Sequence, residues 1–522
     1  KALALSLSEQ KDALYEASYA TGATLKDHMI DVDGGIGTML VIASKGRREM
    51  PNAHVYVDGQ VEQLSRSGQF AGQHICTPKL GVAVHINAFN FPVWGMLEKM
   101  APALLAGMPV IVKPATATCQ VTELAFQMII ASGLLPAGAV QLITGDLGNL
   151  LDHLGGQDVV SFTGSEATGR DLRTHPALIR NAVYFMAEQD SLNASVLGVD
   201  VTVGSAEFDL FVKEVHREIT VKAGQKCTAV RRVMVPDHLL DSVQAALIER
   251  LANTPIGNPR HPDTRMGALV SLSQRRDVLE KAAQIGAEAE CVFGEGDMPV
   301  VIDADAEKGA FVAPRLFRCE TPDQAKAVHY IEAFGPVSTL MEYRDAGHAS
   351  QLLNRGQGSL VASVFTADAG FARDMVLGSA AYHGRLYFNN ATSAKESTGH
   401  GSPMPHLVHG GPGRAGGGEE LGGVRGVMSY MQRTAIQGTP DILSEITQRY
   451  VPNATPTPTP DHPFRRSYHQ LTLGEQLVTP EREITIEDIE TFAHFTGDTF
   501  YAHMDAEAAK RNPFFPDRVA HG

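Results

Sequence analysis

Short apolar runs alternate with helical patterns through the first four-fifths of the chain, and this alternation constrains the fold most. Residues 80–86 have the composition of a buried strand, and residues 92–105 follow as an amphipathic helix ended by Gly107. Residues 110–112 predict a second strand, with Lys113 at its carboxyl end. Strand, helix and strand in this order predict parallel pairing and therefore an α/β fold.

A third predicted strand, residues 159–162, runs into Thr163, Gly164, Ser165 and a helix. Ligand sites in open parallel sheets lie at the carboxyl ends of the strands, and a helix amino terminus attracts a pyrophosphate. Gly164 and Ser165 are therefore candidates for cofactor binding. The spacing is not Gly-x-Gly-x-x-Gly, so a helix cap with a close-packing glycine remains the alternative.

Bulk composition excludes several classes of function. A length of 522 residues predicts about three domains. The net charge of -15 argues against a nucleic-acid partner, and no apolar run is long enough to predict a membrane helix. The five cysteines are odd in number and have no close pairs, which predicts a cytoplasmic location and no Cys-x-x-Cys metal site.

The pattern changes near residue 395. Residues 400–423 are rich in Gly, Pro and His and predict a long loop, and residues 425–434 predict a helix. Prolines at alternate positions of 452–460 favour an extended spacer. We therefore predict a first region at 1–436, a linker at 437–464 and a further region at 465–522.

Three residues of the first region have the chemistry that oxidises an aldehyde. Cys227 supplies a thiol nucleophile, Asn90 an amide donor for the oxyanion, and Glu188 a carboxylate that activates water or helps to deprotonate the thiol. Each has an ordinary alternative when taken alone: a buried apolar thiol, a turn amide, and a surface or capping carboxylate.

Histidines of the glycine-rich loop could suggest a metal site. His400, His406 and His409 are separated by Pro and Gly, which deny them a common helical face, and no carboxylate stands at a fixed spacing from them. We predict ordinary loop histidines and no metal.

Five segments together resemble the aldehyde dehydrogenase superfamily over residues 1–436. They are 87–92, 112–115, 162–165, 224–227 and 332–336. The resemblance implies a Rossmann-like cofactor domain at about 1–187, an α/β catalytic domain at about 188–395, and a loop with oligomerisation strands at about 396–436. It also implies Cys227 as nucleophile, Glu188 as general base and Asn90 as oxyanion donor. Glu332 would bind the nicotinamide ribose, and Phe334 would pack near the ring.

The chain departs from that family's usual pattern in two places. Phe89 stands where a Trp usually precedes the oxyanion Asn, and residues 188–191 read Glu-Gln-Asp-Ser where Glu-Leu-Gly-Gly is usual. The missing glycines change the turn that aims Glu188.

Two residues after the second strand predict the choice of cofactor. Lys113 offers an ammonium to a ribose hydroxyl or a phosphate. Thr116 stands where many NAD-preferring relatives carry a Glu that repels a 2′-phosphate. A neutral hydroxyl removes this repulsion, so we predict NADP rather than NAD.

The last region has a carboxylate and an imidazole close together. Asp498 and His503 could share acid and base roles, or Asp498 could simply cap the following helix. Residues 465–522 resemble the beginning of the MaoC-type, (R)-specific enoyl-CoA hydratases. That resemblance implies an incomplete hot-dog domain with Asp498 and His503 as its catalytic pair.

A dehydrogenase followed by a MaoC-type region resembles the bifunctional enzymes of aerobic phenylacetate degradation. The resemblance implies two substrates, oxepin-CoA for ring opening and a CoA-linked aldehyde for oxidation, and a homo-oligomer built on dehydrogenase dimers. Three alternatives stay open: a dehydrogenase of free aldehydes with a non-catalytic tail, a CoA-acylating dehydrogenase, and a binding protein on this scaffold.

Overall fold

The computed structural model describes residues 1–296, 299–458, 466–476 and 481–521. Contacts divide the chain into two units. One comprises Lys1–Gln60 and His74–Ile436, and the other comprises Val61–Gln73 and Gln437–Gly522. The linker residues predicted at 459–464, and residues 465, 477–480 and 522 of the last region, lie outside the described residues.

The first sheet of the larger unit has five parallel strands. Their order is Val140–Leu142, Val110–Lys113, Ala83–Ile86, Val159–Thr163 and Tyr184–Glu188. Ala83 and Val159 pack into one apolar core, and their neighbours Val84 and Val160 pack into a second core on the opposite face. Both faces are covered, which explains why these strands are apolar at successive positions.

A second sheet of seven strands follows the same logic. The order is Glu290–Phe293, Arg315–Cys319, Val337–Tyr343, Arg232–Pro236, Ala194–Leu197, Ser359–Phe365 and His383–Asn389. Only the pair at the Glu290–Phe293 edge is antiparallel within this described sheet. Val196 and Leu197 again face opposite cores. The α/β class predicted from the sequence is confirmed.

Helices cover both sheets of the larger unit, and further short strands pair outside these two sheets. The helices are Ala2–Glu9, Lys11–Ser18, Leu25–His28, Gly34–Glu49, Trp94–Leu105, Cys119–Ala131, Glu166–Arg173, Pro176–Arg180, Ala206–Thr220, Leu240–Ala252, Leu272–Gly286, Ala327–Tyr330, Ala346–Asn354, Ala369–Ser379 and Val424–Met428. Tyr56–Gln63, Ala71–Pro78 and Met431–Gly438 form a three-stranded sheet. Ile256–Gly257 pairs with Val301–Ile302, and Val408–His409 with Glu420–Leu421.

Two local predictions were wrong. The strand predicted at 80–86 begins only at Ala83, because Leu80 is exposed and the Val82 amide donates to the Asp158 side chain instead of to a neighbouring strand. The helix predicted at 425–434 ends at Met428, and the chain continues as the strand Met431–Gly438. Strand partners more than 350 residues earlier in the chain override the local helical pattern there.

The smaller unit contains four α-helices among its described residues: Pro440–Thr447, Ile486–Thr496, Tyr501–Met504 and Ala506–Lys510. The first lies inside the segment predicted to be a linker. Pro440 stands in its first turn, where the missing amide costs nothing, and Leu443 is buried. Thr457–Pro458 pairs with Glu475–Gln476. Among the residues the structure describes, every helix is too short or too polar to traverse a lipid bilayer.

Candidate active site

Cys227 follows a tight turn in the loop after helix Ala206–Thr220. Lys222, Ala223 and Gly224 all have left-handed backbone angles, with φ of 56°, 51° and 68°. A Cβ at Gly224 would lie 2.2 Å from the carbonyl oxygen of Gly335, so the close approach of the two loops requires glycine.

Arg231 fastens the same two loops together. Its guanidinium donates to the Gly335 carbonyl at 2.6 Å and to the Gly224 carbonyl at 2.9 Å. The turn therefore sets the position of Cys227 relative to the segment that carries Glu332 and Phe334.

Glu188 is the last residue of strand Tyr184–Glu188, and its register partner on the neighbouring strand is Thr163. Two residues that follow Glu188 have definite contacts. The main-chain amide of Gln189 donates to the Ala415 carbonyl at 3.0 Å, and the side chain of Asp190, which stands where a glycine is usual, accepts from the main-chain amide of Glu166 at 2.9 Å. The turn after Glu188 is thus held by the glycine-rich loop and by the adjacent helix.

One narrow cavity, of about 50 Å³, brings the three predicted residues together. Cys227, Glu188 and Asn90 all line it, as do Phe91 and Trp94. Glu188 and Asn90 are 3% and 5% exposed. The space accommodates a small reacting group beside a thiol, a carboxylate and an amide, and the roles of the three residues remain predictions.

Burial and charge raise the pKa of the Cys227 thiol well above its ordinary value, and the Glu188 carboxylate is the main charge involved. The same carboxylate makes a side-chain hydrogen bond with that thiol. Glu188 therefore disfavours a resting thiolate but is placed to accept its proton when an electrophile arrives.

His409 is not the ordinary loop histidine that the sequence predicted. It is 2% exposed and lies in the strand pair Val408–His409 and Glu420–Leu421, with Nε2 3.1 Å from Oε2 of Glu188. The glycine-rich segment reaches this position because the Gly418 amide donates to the Ala187 carbonyl, beside Glu188, at 3.1 Å. His400 is also buried, and its Nε2 lies 2.8 Å from the Thr228 carbonyl.

A buried ionic cluster lies next to the same cavity. Lys99 lies 3.3 Å from carboxylate oxygens of both Glu98 and Glu420, and its side chain is 1% exposed. Both carboxylate oxygens of Glu420 lie 3.3 Å from Nζ of Lys99, and Oε1 also accepts from the Ser161 hydroxyl at 3.0 Å. Burial raises the pKa of Glu98 to about 7, although Lys99 opposes the shift. Glu98 also lines the cavity, so the cluster borders it directly.

The predicted nicotinamide contacts lie at the edge of this region. Glu332 is 6% exposed, and its Oε1 has no hydrogen-bond partner among the described residues. Its Oε1 lies 3.7 Å from Nε of Arg231, and burial raises its pKa to about 7. The Phe334 ring packs edge-on against Phe89, with centroids 5.8 Å apart. A buried carboxyl oxygen that accepts no hydrogen bond, beside an aromatic edge, fits a ribose hydroxyl and a planar ring.

The other predicted cofactor residues lie at the carboxyl edge of the first sheet. Lys113 pairs with Ile86, which pairs on its other side with Phe162, just before Gly164. Thr116 is exposed. The exposed Ser165 caps its helix by accepting the Thr168 amide at 3.3 Å, so the capping alternative is realised and a pyrophosphate contact remains a prediction.

In the smaller unit, Asp498 and His503 lie close together with a third residue, His521. Their possible ligand atoms all lie within 4.8 Å of one another. The His503 and His521 rings stack with centroids 3.7 Å apart, and Nδ1 of His503 lies 2.7 Å from the Val519 carbonyl. Helix Ala506–Lys510 is capped by Asp505 and not by Asp498.

Sequence reasoning missed His409, the Lys99 cluster, Arg231 and His521. No residue spacing in the sequence could have indicated the role of His409, because its partner Glu188 is distant in the chain. The only available signal for the Lys99 cluster was a charged pair inside an otherwise apolar helix.

Comparisons with known proteins agree with this geometry. Residues 1–436 match the aldehyde dehydrogenase family, and residues 469–522 match the MaoC like domain. The chain is 44% identical over 392 residues to 3,4-dehydroadipyl-CoA semialdehyde dehydrogenase of Aromatoleum evansii, which covers 75% of this chain and 76% of that protein. It is 50% identical over 259 residues to Protein MaoC of Klebsiella aerogenes, covering 49% of this chain and 75% of that protein.

A solved structure shows the same fold. Betaine aldehyde dehydrogenase of Staphylococcus aureus, in complex with NAD+, superposes with a TM-score of 0.71 at 26% identity and covers 84% of this chain and 81% of its own. The two sheets, the cavity shared by Cys227, Glu188 and Asn90, and the extent of the sequence match lead to one conclusion: this chain belongs to the aldehyde dehydrogenase family and carries a MaoC-like region after it.

Proposed function

We propose that residues 1–436 oxidise a CoA-linked semialdehyde to its acid through a thioester on Cys227. The observation that carries the proposal is the common cavity lined by Cys227, Glu188 and Asn90. The two halves act in sequence in this proposal, because the MaoC-like region would generate the aldehyde that the first region consumes.

The chemistry of the cavity divides into two stages. The Cys227 sulfur attacks the carbonyl carbon, its proton passes to Glu188, and the Asn90 amide donates to the oxyanion that forms. A bound nicotinamide cofactor supplies the hydride acceptor of this family's oxidation. After it has released that first proton to solvent, Glu188 takes a proton from water and the water oxygen bonds to the thioester carbon. The carbon–sulfur bond then breaks to release the acid, and the Cys227 sulfur takes the proton back from Glu188.

NADP is the cofactor that we propose, with NAD as the alternative. Thr116 is neutral and exposed at the carboxyl edge of the first sheet, and Lys113 lies three residues before it. A neutral side chain does not repel a 2′-phosphate, and a nearby ammonium attracts it. Glu332 and Phe334 would hold the nicotinamide end.

The substrate class rests on the relatives. The Aromatoleum evansii protein is named for a CoA semialdehyde and is 44% identical to this chain. Phe91 and Trp94 line the cavity and would guide an acyl chain towards Cys227. We therefore propose a CoA thioester at the far end of the substrate and place the reaction in aerobic phenylacetate catabolism.

The MaoC-like region would open the ring of oxepin-CoA with water. Asp498 and His503 are close enough to share the required acid and base work. A cytoplasmic homo-oligomer built on dehydrogenase dimers completes the proposal; the five free cysteines agree with a reducing compartment.

Supplying oxepin-CoA to the full-length protein and following NADPH tests both halves. The wild type should form NADPH from oxepin-CoA and from the semialdehyde. Asp498→Asn should lose the first activity and keep the second, and Cys227→Ala should lose both while it still binds cofactor. Faster turnover of a free aldehyde such as hexanal than of the CoA-linked one would favour the stand-alone alternative.

A further inference from the structure

The contact between His409 and Glu188 is the feature of the cavity that the proposed function does not use. Nε2 of His409 lies 3.1 Å from Oε2 of Glu188, and both side chains are 3% exposed. Nδ1 of His409 is buried and has no hydrogen-bond partner among the described residues. The imidazole therefore has one polar contact, and that contact is the proposed general base.

The charges around the imidazole favour its protonated form. Burial alone would lower the pKa of His409, but the Glu188 carboxylate and, more weakly, Glu98 raise it above the ordinary value, against the opposing charge of Arg385.

The reciprocal effect acts on Glu188. Burial would raise its pKa, but His409 first and then Lys99 hold it below its ordinary value, and the hydrogen bond from Cys227 adds to this. The carboxylate and the imidazole therefore share one proton, and they titrate as a pair.

The protonation state of this pair decides whether Glu188 can act as a base. A carboxylate held in an ion pair with an imidazolium has little affinity for a further proton, so it activates water poorly. A neutral imidazole with its proton on Nε2 still donates to Oε2 and keeps the carboxylate in place, but it leaves the carboxylate's proton affinity higher.

We propose that His409 is a positioning residue whose loss of a proton converts Glu188 from a resting ion pair into the active base for thioester hydrolysis. This inference rests on the proposed role of Glu188. In the step itself, an O–H bond of water breaks and its proton goes to Glu188, while the water oxygen bonds to the thioester carbon. The carbon–sulfur bond then breaks, and the sulfur takes the proton back to restore the Cys227 thiol.

The activated ester p-nitrophenyl acetate tests this step without a nicotinamide cofactor or a CoA substrate. Acylation of Cys227 releases p-nitrophenolate as a burst, and the later linear phase reports hydrolysis of the acyl enzyme. The wild-type linear rate should fall as the pH drops through the raised pKa of His409, which places the midpoint of the acid limb above about 6.5.

His409→Gln keeps a neutral donor and removes the titration. It should move the acid limb of the linear phase to lower pH by about one unit or more, and leave the rate on the alkaline plateau within about threefold, since the carboxylate stays in place. His406→Gln is the matched control, because His406 lies in the same loop but is exposed; its acid limb should coincide with that of the wild type.

Two results would overturn the inference. One is an equal loss of rate at every pH in His409→Gln, which a purely structural role would produce. The other is a wild-type acid limb at or below about pH 5, the range of an ordinary carboxyl, which needs no variant and so holds even if His409→Gln fails to fold. Glu188→Gln separates the two proposals: if it hydrolyses the acyl enzyme at the wild-type rate, the base role fails whatever His409 does.

Discussion

Substituting Gly224 by Ala should lower the stability of the fold and displace Cys227. Gly224 has φ +68°, and an added Cβ would lie 2.2 Å from the Gly335 oxygen and 2.4 Å from the Gly335 carbonyl carbon. Both distances are far below ordinary contact, and the atoms on the other side are main chain, so the two loops must separate.

The loss of folding free energy in Gly224→Ala has two contributions, and substituting a second glycine, Gly133, measures one of them alone. A left-handed alanine costs about 1–2 kcal/mol by itself. Overpacking against a rigid neighbour adds about 1–3 kcal/mol. Gly133 has a similar φ of +62° but nothing within 4 Å of an added Cβ, so Gly133→Ala should show only the first cost. Gly224→Ala should therefore lose about 1–3 kcal/mol more than Gly133→Ala.

Turnover should also differ between the two variants. Displacing the Gly224 turn moves Cys227 relative to Glu188, and a misplacement of about 1 Å is enough to lower turnover about 100-fold. Gly133 lies in the turn after helix Cys119–Ala131, away from the lining of the cavity, and its variant should keep wild-type turnover.

The assay combines urea unfolding with initial rates of formation of the reduced nicotinamide cofactor. The chain has one tryptophan, Trp94, which lines the cavity, so its fluorescence reports unfolding at the site itself. Equal unfolding midpoints for Gly224→Ala and Gly133→Ala, together with normal turnover in both, would refute the reasoning that the loop contact positions the nucleophile.

Three further predictions follow from the described contacts. Glu188→Gln should stop at or before the thioester, so mass spectrometry should find that free acid no longer forms at the normal rate; free acid formed at that rate would contradict the base role. Lys99→Met leaves the buried carboxylates of Glu98 and Glu420 unpaired and should cost about 3–5 kcal/mol in urea unfolding; adding Glu420→Gln should recover part of that loss. Thr116→Glu should lower kcat/KM for NADP relative to NAD by tenfold or more, because a carboxylate repels a 2′-phosphate, whereas Thr116→Ser should leave the ratio unchanged; a wild-type preference for NAD would reject the argument.

Local pattern was sufficient for the elements that lie inside two apolar cores. Residues 110–113 and 159–163 lie in a sheet whose two faces are both covered by apolar cores. Strands buried on both faces have continuous apolar runs, and such runs can be recognised in the sequence. The motif residues Cys227, Glu188 and Asn90 were recognised because their neighbours in the chain are distinctive. No spatial information was needed to select them.

Elements whose partners are distant in the chain were misjudged. The segment after Met428 has an acceptable helical pattern, but it pairs as a strand with residues near the start of the chain. There tertiary pairing outweighs a weak local preference. Helix Pro440–Thr447, in the segment predicted to be a linker, instead carries a local signal that was overlooked, a proline in its first turn.

The sequence by itself predicted the sheet architecture and selected the thiol, carboxylate and amide that line the cavity, since a buried strand and a motif can both be recognised from neighbouring residues. Only the tertiary structure decided what surrounds that carboxylate. His409 reaches Glu188 because Gly416 and Gly418 let the loop lie directly against the Ala187 main chain, where a Cβ would come within 2.3 Å and 2.6 Å of its carbonyl oxygen. Two main chains can approach so closely only where glycine has no Cβ. Neither the periodicity nor the spacing of residues indicates which distant segment will lie against such a glycine.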